Sequence, residues 1–138
     1  MDAQVSVIQQ LIMVARILLA GGLGALIGWQ REKAHKPAGL RTHILIALGA
    51  ALFTVISISF TGDPARISAG VVTGIGFLGA GAIMHRARVV EGLTTAASIW
   101  VTAAIGIACG TGYYILSAVT ALVVFVVLLL HHPDENKK

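Results

Sequence analysis

Charged residues are scarce in this chain. Asp, Glu, Lys and Arg make up 12% of its 138 residues, whereas soluble domains carry about 25%. Hydrophobic residues make up 57%, and the mean hydropathy is +0.87. A chain this short with so little charge cannot cover its surface with polar groups in water, which excludes an ordinary soluble domain.

Cysteine and acidic residues are also scarce. Cys109 is the single cysteine, so an intramolecular disulfide is excluded. The six acidic residues form no cluster, and no H-x-x-x-H motif offers a metal cage. Serine, cysteine and histidine do not occur at the spacing of an activated nucleophile. We therefore expect no enzyme, no metal site and no cofactor.

Long apolar runs are what the sequence has in abundance. Five blocks approach the ~20 residues that a helix needs to cross the hydrocarbon core of a bilayer. They predict an all-α, polytopic membrane protein with a single transmembrane domain, residues 1–131, and a polar cytoplasmic tail, 132–138. The predicted spans lie near residues 7–28, 40–61, 66–85, 92–109 and 113–131.

Basic residues fall unevenly on the two sides of this bundle. If all five blocks span, eight of the ten Lys and Arg lie on one side: Arg31, Lys33, Lys36, Arg41, Arg86, Arg88, Lys137 and Lys138. Cytoplasmic loops carry the excess of Lys and Arg, so we predict an external N-terminus and a cytoplasmic C-terminus. The same bias accounts for the net charge of +4 without a nucleic-acid partner.

The stretch GIGFLGAG, residues 74–81, has the G-x-G-x-x-G spacing of a dinucleotide-binding loop. It lacks the preceding strand and the correctly spaced acidic residue, so we assign its glycines to helix packing. At 100° per residue, small residues form two arcs on the third helix: Gly70, Gly74 and Gly81 on one, and Ala69, Gly76 and Ala80 on the other. Two thin faces predict a central helix held by neighbours on both sides. A locally broken helix that lines an ion site is the alternative.

The other helices also have small or polar faces. On the first, Ala20 and Gly24 share an arc with Arg16. On the second the face comprises His43, Ala47, Ala50, Thr54 and Thr61. On the fourth, a stripe of Thr94, Thr95, Ser98, Thr102 and Gly106 lies opposite Leu93, Trp100 and Ala104. These faces predict a tight bundle rather than a wide pore.

Arg16 is the strongest single anomaly of the sequence. It lies nine residues into the first block, or ~13 Å deep at 1.5 Å per residue, where a charge should face the interior and find a partner. Asp63, at the outer end of the second turn, is the candidate partner. A structural ion pair and a substrate or ion pathway both fit this pattern.

Four ordered motifs carry a family resemblance: LGALIGWQRE, AGLRTHILIALGAALFTV, DPARISAGVVTGIGFLGAGAI and EGLTTAASIWVTAAIGIACGTGYY. From about Arg16 to Tyr114, the chain resembles the membrane domain of the MgtC/SapB family. The resemblance implies a multi-pass bacterial inner-membrane protein linked to magnesium homeostasis, growth at low magnesium and virulence through survival inside macrophages. It also implies binding and restraint of the F-type ATP synthase rather than Mg²⁺ transport.

The same resemblance selects candidate residues by position. They are Arg31, Glu32, Arg41, Thr42, His43, Asp63, Arg66, the glycines of 74–81 including Gly76 and Gly79, and Gly92, Leu93, Thr94 and Thr95. The best-known members continue into a soluble cytoplasmic domain, whereas this sequence stops at HHPDENKK. We therefore expect a short member or a shortened chain, without the functions of that domain.

Two functions from different classes remain open on the sequence. One is a regulatory membrane partner that binds another complex through helix faces and the charged turn between the first two helices. The other is a small ion or solute carrier or channel, with Arg16, Asp63 and the small-residue stripes along its path. The scarcity of acidic residues favours the first. Small-residue faces in excess of one bundle's needs also predict a homo-oligomer in the bilayer, with a dimer favoured.

Overall fold

The computed structural model describes residues 5–60, 63–86 and 89–130. Five helices make up most of this part: α1 (Val7–Lys33), α2 (Leu40–Ser59), α3 (Pro64–Gly81), α4 (Leu93–Thr111) and α5 (Tyr114–Leu129). Of these, α1, α2 and α4 are long and apolar enough to cross a membrane, and α3 and α5 are shorter apolar helices. The prediction of an all-α membrane protein is confirmed. Thr61 and the predicted tail lie outside the described residues.

A short β-hairpin joins α3 to α4. Strand β1 (Met84–Arg86) pairs antiparallel with β2 (Val89–Glu91), with Met84 opposite Glu91. The sequence indicated only a turn here and placed the end of the third span near residue 85, whereas α3 ends at Gly81. We call the end of the bundle that carries this hairpin and the α1–α2 turn the hairpin end. The end that carries the α4–α5 turn is the opposite end.

Local sequence signals set several helix ends. Ser6 and Gln9 form a capping box at the start of α1, in which each side chain bonds the other's backbone N–H. At the start of α3, Asp63 accepts a hydrogen bond from the backbone N–H of Ala65 at 2.9 Å. Gly112 ends α4 with a φ of +89°, a conformation that favours glycine.

Backbone-to-backbone approach holds α1, α2 and α4 together. A methyl group at Gly24 would lie 2.6 Å from the carbonyl oxygen of His43, and one at Gly106 would lie 2.6 Å from that of Ala47. Gly28 and Gly110 approach α2 as closely. Only glycine permits these distances, so the three helices form the centre of the bundle.

The position of α3 differs from the prediction. It packs at the edge of the bundle against α2 and α4. Among the α3 residues whose burial is described, only Gly79 is buried. Methyl groups at Gly70, Gly74, Gly76 and Gly81 would meet no described atom within 4 Å. The prediction of a central third helix is therefore wrong. The glycine faces of α1 and α4 contact α2 directly and leave no central slot for α3.

The predicted faces of α2 and α4 are largely confirmed. His43, Ala47, Ala50 and Thr54 are buried on α2, as are Thr95, Ser98, Thr102 and Gly106 on α4. Thr94 is the exception on α4, because it is exposed beside the helix start. Leu93, Trp100 and Ala104 are exposed on the opposite side of α4, as expected for a face toward lipid.

Candidate polar site at the hairpin end

Arg31 is a buried cation near the end of α1. Its side chain is 3% exposed, and its Nη2 donates a hydrogen bond to Thr95 Oγ1 at 2.7 Å. Its Nε finds no hydrogen-bond partner among the described residues. Arg31 thus joins α1 to the first turn of α4, and part of its hydrogen-bonding capacity remains unused.

His43 on α2 and Ser98 on α4 join Arg31 and Thr95 in one buried group, which we call the polar cluster. The ring is fully buried, with Nδ1 2.9 Å from the carbonyl oxygen of Gly39 and Nε2 3.1 Å from Ser98 Oγ. Because a carbonyl can only accept, Nδ1 carries a hydrogen. The single hydroxyl hydrogen of Ser98 lies within reach of two acceptors, His43 Nε2 and the carbonyl oxygen of Thr95 at 2.8 Å. When the ring is neutral, only one of these two bonds forms at a time.

An open cavity lies beside the cluster, on the α1–α2 turn. Glu32 forms one wall, where its Oε2 accepts a hydrogen bond from the backbone N–H of Leu40 at 2.9 Å. The cavity has a volume of about 290 Å³ and is lined by Glu32, Lys36, Pro37, Gly39, Leu40, Arg41 and Thr42. The predicted candidates at this end therefore divide into a buried group and a group that lines an accessible surface.

Arg16 lies at the opposite end, and its predicted partner is wrong. Its Nε donates to the hydroxyl of Tyr114 at 3.0 Å, and its Nη1 donates to the carbonyl oxygen of Gly110 at 3.0 Å. Asp63 instead caps α3. Arg16 is level with the α4–α5 turn, so it lies near the end of the bundle rather than deep within it.

The remaining candidates lie apart from the polar cluster. Arg66 is exposed and lines an apolar groove between α2 and α3, about 710 Å³ in volume. Gly92 has a φ of +89°, and a methyl group there would collide with the carbonyl oxygen of Ala82. A methyl group added at Gly79 would make only ordinary contact, 3.7 Å from the carbonyl oxygen of Ala96. The structure thus assigns Gly24 and Gly92 to close contacts within the monomer, whereas Gly79 leaves room for a methyl group.

Several residues of the site were missed by sequence reasoning. Gln30 is buried and donates from Nε2 to the carbonyl oxygen of Leu128 at 2.8 Å. Ser98 was placed on the correct face but was not selected as a site residue. The four-residue spacings Gly24–Gly28 and Gly106–Gly110 are the signal that would have found the tight helix crossings.

Metal-binding groups are few in this architecture. Within residues 5–60, 63–86 and 89–130, no group of three or more His, Cys, Asp or Glu side chains could hold a metal ion. The polar cluster consists instead of one guanidinium, one imidazole and two hydroxyls. Such a set can bind an acceptor or an anion, but it is a poor match for a divalent cation.

The residues of this cluster fall within the motifs that carried the family resemblance, and a family model tests that resemblance directly. The model described as MgtC family matches residues 17–137. This chain belongs to the MgtC family. The match includes all five helices apart from the first ten residues of α1.

Curated relatives agree with this assignment. Protein MgtC of Brucella abortus (strain 2308) is 47% identical over 119 residues, which cover 83% of this chain and 50% of the relative. Protein MgtC of Salmonella typhimurium (strain LT2) is 49% identical over 102 residues, covering 73% and 44%. A protein of Escherichia coli (strain K12) named "Putative magnesium transporter YhiD" is 45% identical over 129 residues, covering 86% and 60%. The chain spans about half the length of the relatives it matches. No solved structure matches it.

Proposed function

We propose that this MgtC-family chain is a regulatory protein of the bacterial inner membrane that acts by binding another membrane complex. The F-type ATP synthase is the proposed partner, in cells that adapt to low magnesium and survive inside macrophages. The proposed contact is the hairpin end, where exposed Arg41, Thr42 and Glu32 line the open cavity.

The apolar core between the two polar ends carries this proposal. Buried Ala20, Ala47, Ala51 and Ile105 separate the Arg31–His43 cluster from Arg16. Within this part of the bundle, Thr54 and Thr102 donate their hydroxyls to carbonyl oxygens of their own helices, at 2.8 and 2.7 Å. The described core therefore offers no chain of free polar groups along which a hydrated ion could cross.

Transport of Mg²⁺ is the second candidate, favoured by the name of the YhiD relative. Mg²⁺ binds oxygen ligands, commonly one or two carboxylates with several retained waters. In the described part of the chain, the acidic residues Glu32, Asp63 and Glu91 are exposed at the ends of the bundle. A transporter would therefore require a second conformation or further subunits.

Two reconstitution assays discriminate these functions. In liposomes that contain a Mg²⁺-sensitive dye, the purified chain should give no Mg²⁺ uptake above that of empty liposomes. In inverted membrane vesicles, added chain should reduce ATP-driven proton pumping in a dose-dependent manner. Saturable Mg²⁺ uptake with unchanged pumping would establish the transporter instead.

A pair of charge reversals locates the proposed contact. Arg41→Glu, at the hairpin end, should weaken the effect on proton pumping, whereas Arg66→Glu, at the opposite end, should not. Both side chains are exposed, so neither change should disturb the fold. An equal effect of the two variants would contradict the assignment of the contact to the hairpin end.

We also propose that the chain forms a homodimer through α3. Gly70, Gly74 and Gly81 leave one side of this helix open, and small residues allow two helices to approach closely in lipid. The occupant we propose for this side is a second copy of α3.

Bulky substitutions at two open glycines test the dimer. Gly74→Ile should abolish association measured by light scattering in mild detergent, because the added side chain would separate the two backbones. Gly22→Ile is the matched control, since Gly22 on α1 also has no described atom within 4 Å of its added methyl group. A wild-type chain that is monomeric in both detergent and lipid would contradict the proposal.

A further inference from the structure

The buried guanidinium of Arg31 lies against the positive end of a helix. Its bonding partner, Thr95, is the third residue of α4. The N-terminus of a helix carries a partial positive charge and repels cations while attracting anions. A cation held at this position brings two positive groups together, and an anion between them would relieve the repulsion.

The start of α4 has unused hydrogen-bond donors. The first backbone bond of this helix runs from the N–H of Ala96 to the carbonyl oxygen of Gly92 at 2.8 Å. The N–H groups of Leu93, Thr94 and Thr95 precede it and have no carbonyl one turn earlier within the helix. Gly92 provides no side-chain cap. Among the described residues, we find no hydrogen-bond acceptor for these three adjacent amides.

Arg31 supplies an independent observation that points to the same place. The Nε and Nη2 atoms form one edge of the planar guanidinium. Nη2 is bonded to Thr95, so the partnerless Nε–H lies on the edge that faces the first turn of α4. Among the described residues, no carboxylate forms an ion pair with this guanidinium, although its side chain is 3% exposed. A buried charge of this kind requires compensation.

We propose that Arg31 and the first amides of α4 form a binding site for a phosphate group. Arginine binds phosphate through two parallel N–H donors, and helix N-termini bind it through backbone amides. Thr94, next to Thr95, is exposed, and a phosphate group at this turn would accept from Arg31 Nε–H as well as from the backbone amides. Exposed Lys33, Lys36 and Arg41 at the same end attract anions toward it.

Two sources can supply this chemistry, a free phosphate ion or the phosphate of an anionic lipid headgroup. The hairpin end is the end of the bundle, where lipid headgroups would surround a protein of this class. The site is independent of the proposed regulatory function, because it requires only these two elements of the monomer.

The experiment uses the full chain in maltoside micelles, which contain no phosphate. Inorganic phosphate and short-chain phosphatidylglycerol are titrated separately, with sodium chloride at matched ionic strength as the screening control. The ¹⁵N–¹H signals of Arg31 Nε and of the Leu93, Thr94 and Thr95 amides report on the site. Saturable shifts at these positions with inorganic phosphate assign a free-ion site, and shifts with the lipid alone assign a headgroup site.

Variants separate the site from general surface charge. Arg31→Lys keeps the positive charge but removes the planar guanidinium with its parallel N–H donors, so it should weaken phosphate binding by about tenfold. Arg41→Gln removes an exposed cation at the same end and should weaken binding by less than about twofold. If Arg31→Lys does not fold, the wild-type shifts alone decide. Absence of saturable shifts with both probes, or equal losses in the two variants, would overturn the proposal.

Discussion

The glycines of the α1–α2–α4 core and those of α3 have similar spacing but different surroundings. A methyl group added at Gly24, Gly28, Gly106 or Gly110 would collide with the backbone of α2, whereas one added at Gly70 or Gly74 on α3 would meet no described atom within 4 Å. The same residue type therefore closes one part of the bundle and leaves another part open. A small-residue face therefore shows that another helix can approach closely. Which helix packs there depends on the rest of the fold.

The largest expected effect comes from filling the two kinds of glycine position. Gly106→Ala places a methyl group against the backbone of α2 and should lower the free energy of unfolding by about 3 kcal/mol, the upper end of overpacking penalties. Gly74→Ala should stay neutral or raise it by up to about 1 kcal/mol, because alanine is the better helix former. Reversible unfolding in mixed micelles measures both. Equal losses would show that α3 is packed as tightly as the core.

A smaller effect is expected from a substitution in the polar cluster at the hairpin end. Thr95→Val removes the acceptor of the Arg31 hydrogen bond and should cost about 1–2 kcal/mol, since the guanidinium then loses its partner. Thr94→Val changes the exposed neighbour and should stay within ~0.5 kcal/mol. The same unfolding assay applies. A Thr94→Val loss as large as that of Thr95→Val would place Thr94 in the cluster as well.

The smallest effect tests which residue is the partner of Arg16 at the opposite end: Tyr114 on α5 or Asp63 at the start of α3. A double-mutant cycle between Arg16→Leu and Tyr114→Phe should give a coupling of about 0.5–1 kcal/mol, because the two side chains share a hydrogen bond. The cycle between Arg16→Leu and Asp63→Asn should give no coupling. Coupling in the second cycle would restore the ion pair expected from the sequence and attach α3 to α1.

The helices themselves were predictable because hydropathy is a local property of the chain. Five apolar blocks gave five helices, and the faces of α2 and α4 followed from the 100° repeat. The position of α3 was not predictable in this way, because contact between helices depends on pairs of faces far apart in sequence. The hairpin was missed since its three-residue strands leave almost no periodic signal.

The candidate site shows the same limit. Arg31, His43 and Thr95 were selected through the family resemblance, but the 2.7 Å bond between residues 31 and 95 joins positions 64 residues apart. Charge complementarity suggested Asp63 for Arg16. The pairing failed because Asp63 starts α3, and α3 packs at the edge of the bundle against α2 and α4. Asp63 serves a local purpose instead, at the start of its own helix.

Gln30 and Arg16 give α1 two hydrogen-bonded anchors on the carboxyl-terminal part of the chain, Leu128 and Tyr114, each 98 residues away. During synthesis, α1 enters the bilayer long before either partner exists. At about 5–20 residues per second, the delay is roughly 5–20 s. Throughout that interval the polar groups of both side chains need water, lipid headgroups or an insertion factor as substitutes. The bonds to Leu128 and Tyr114 form only when α5 arrives, so a chain interrupted before α5 would leave the Gln30 amide and Arg16 Nε without these partners.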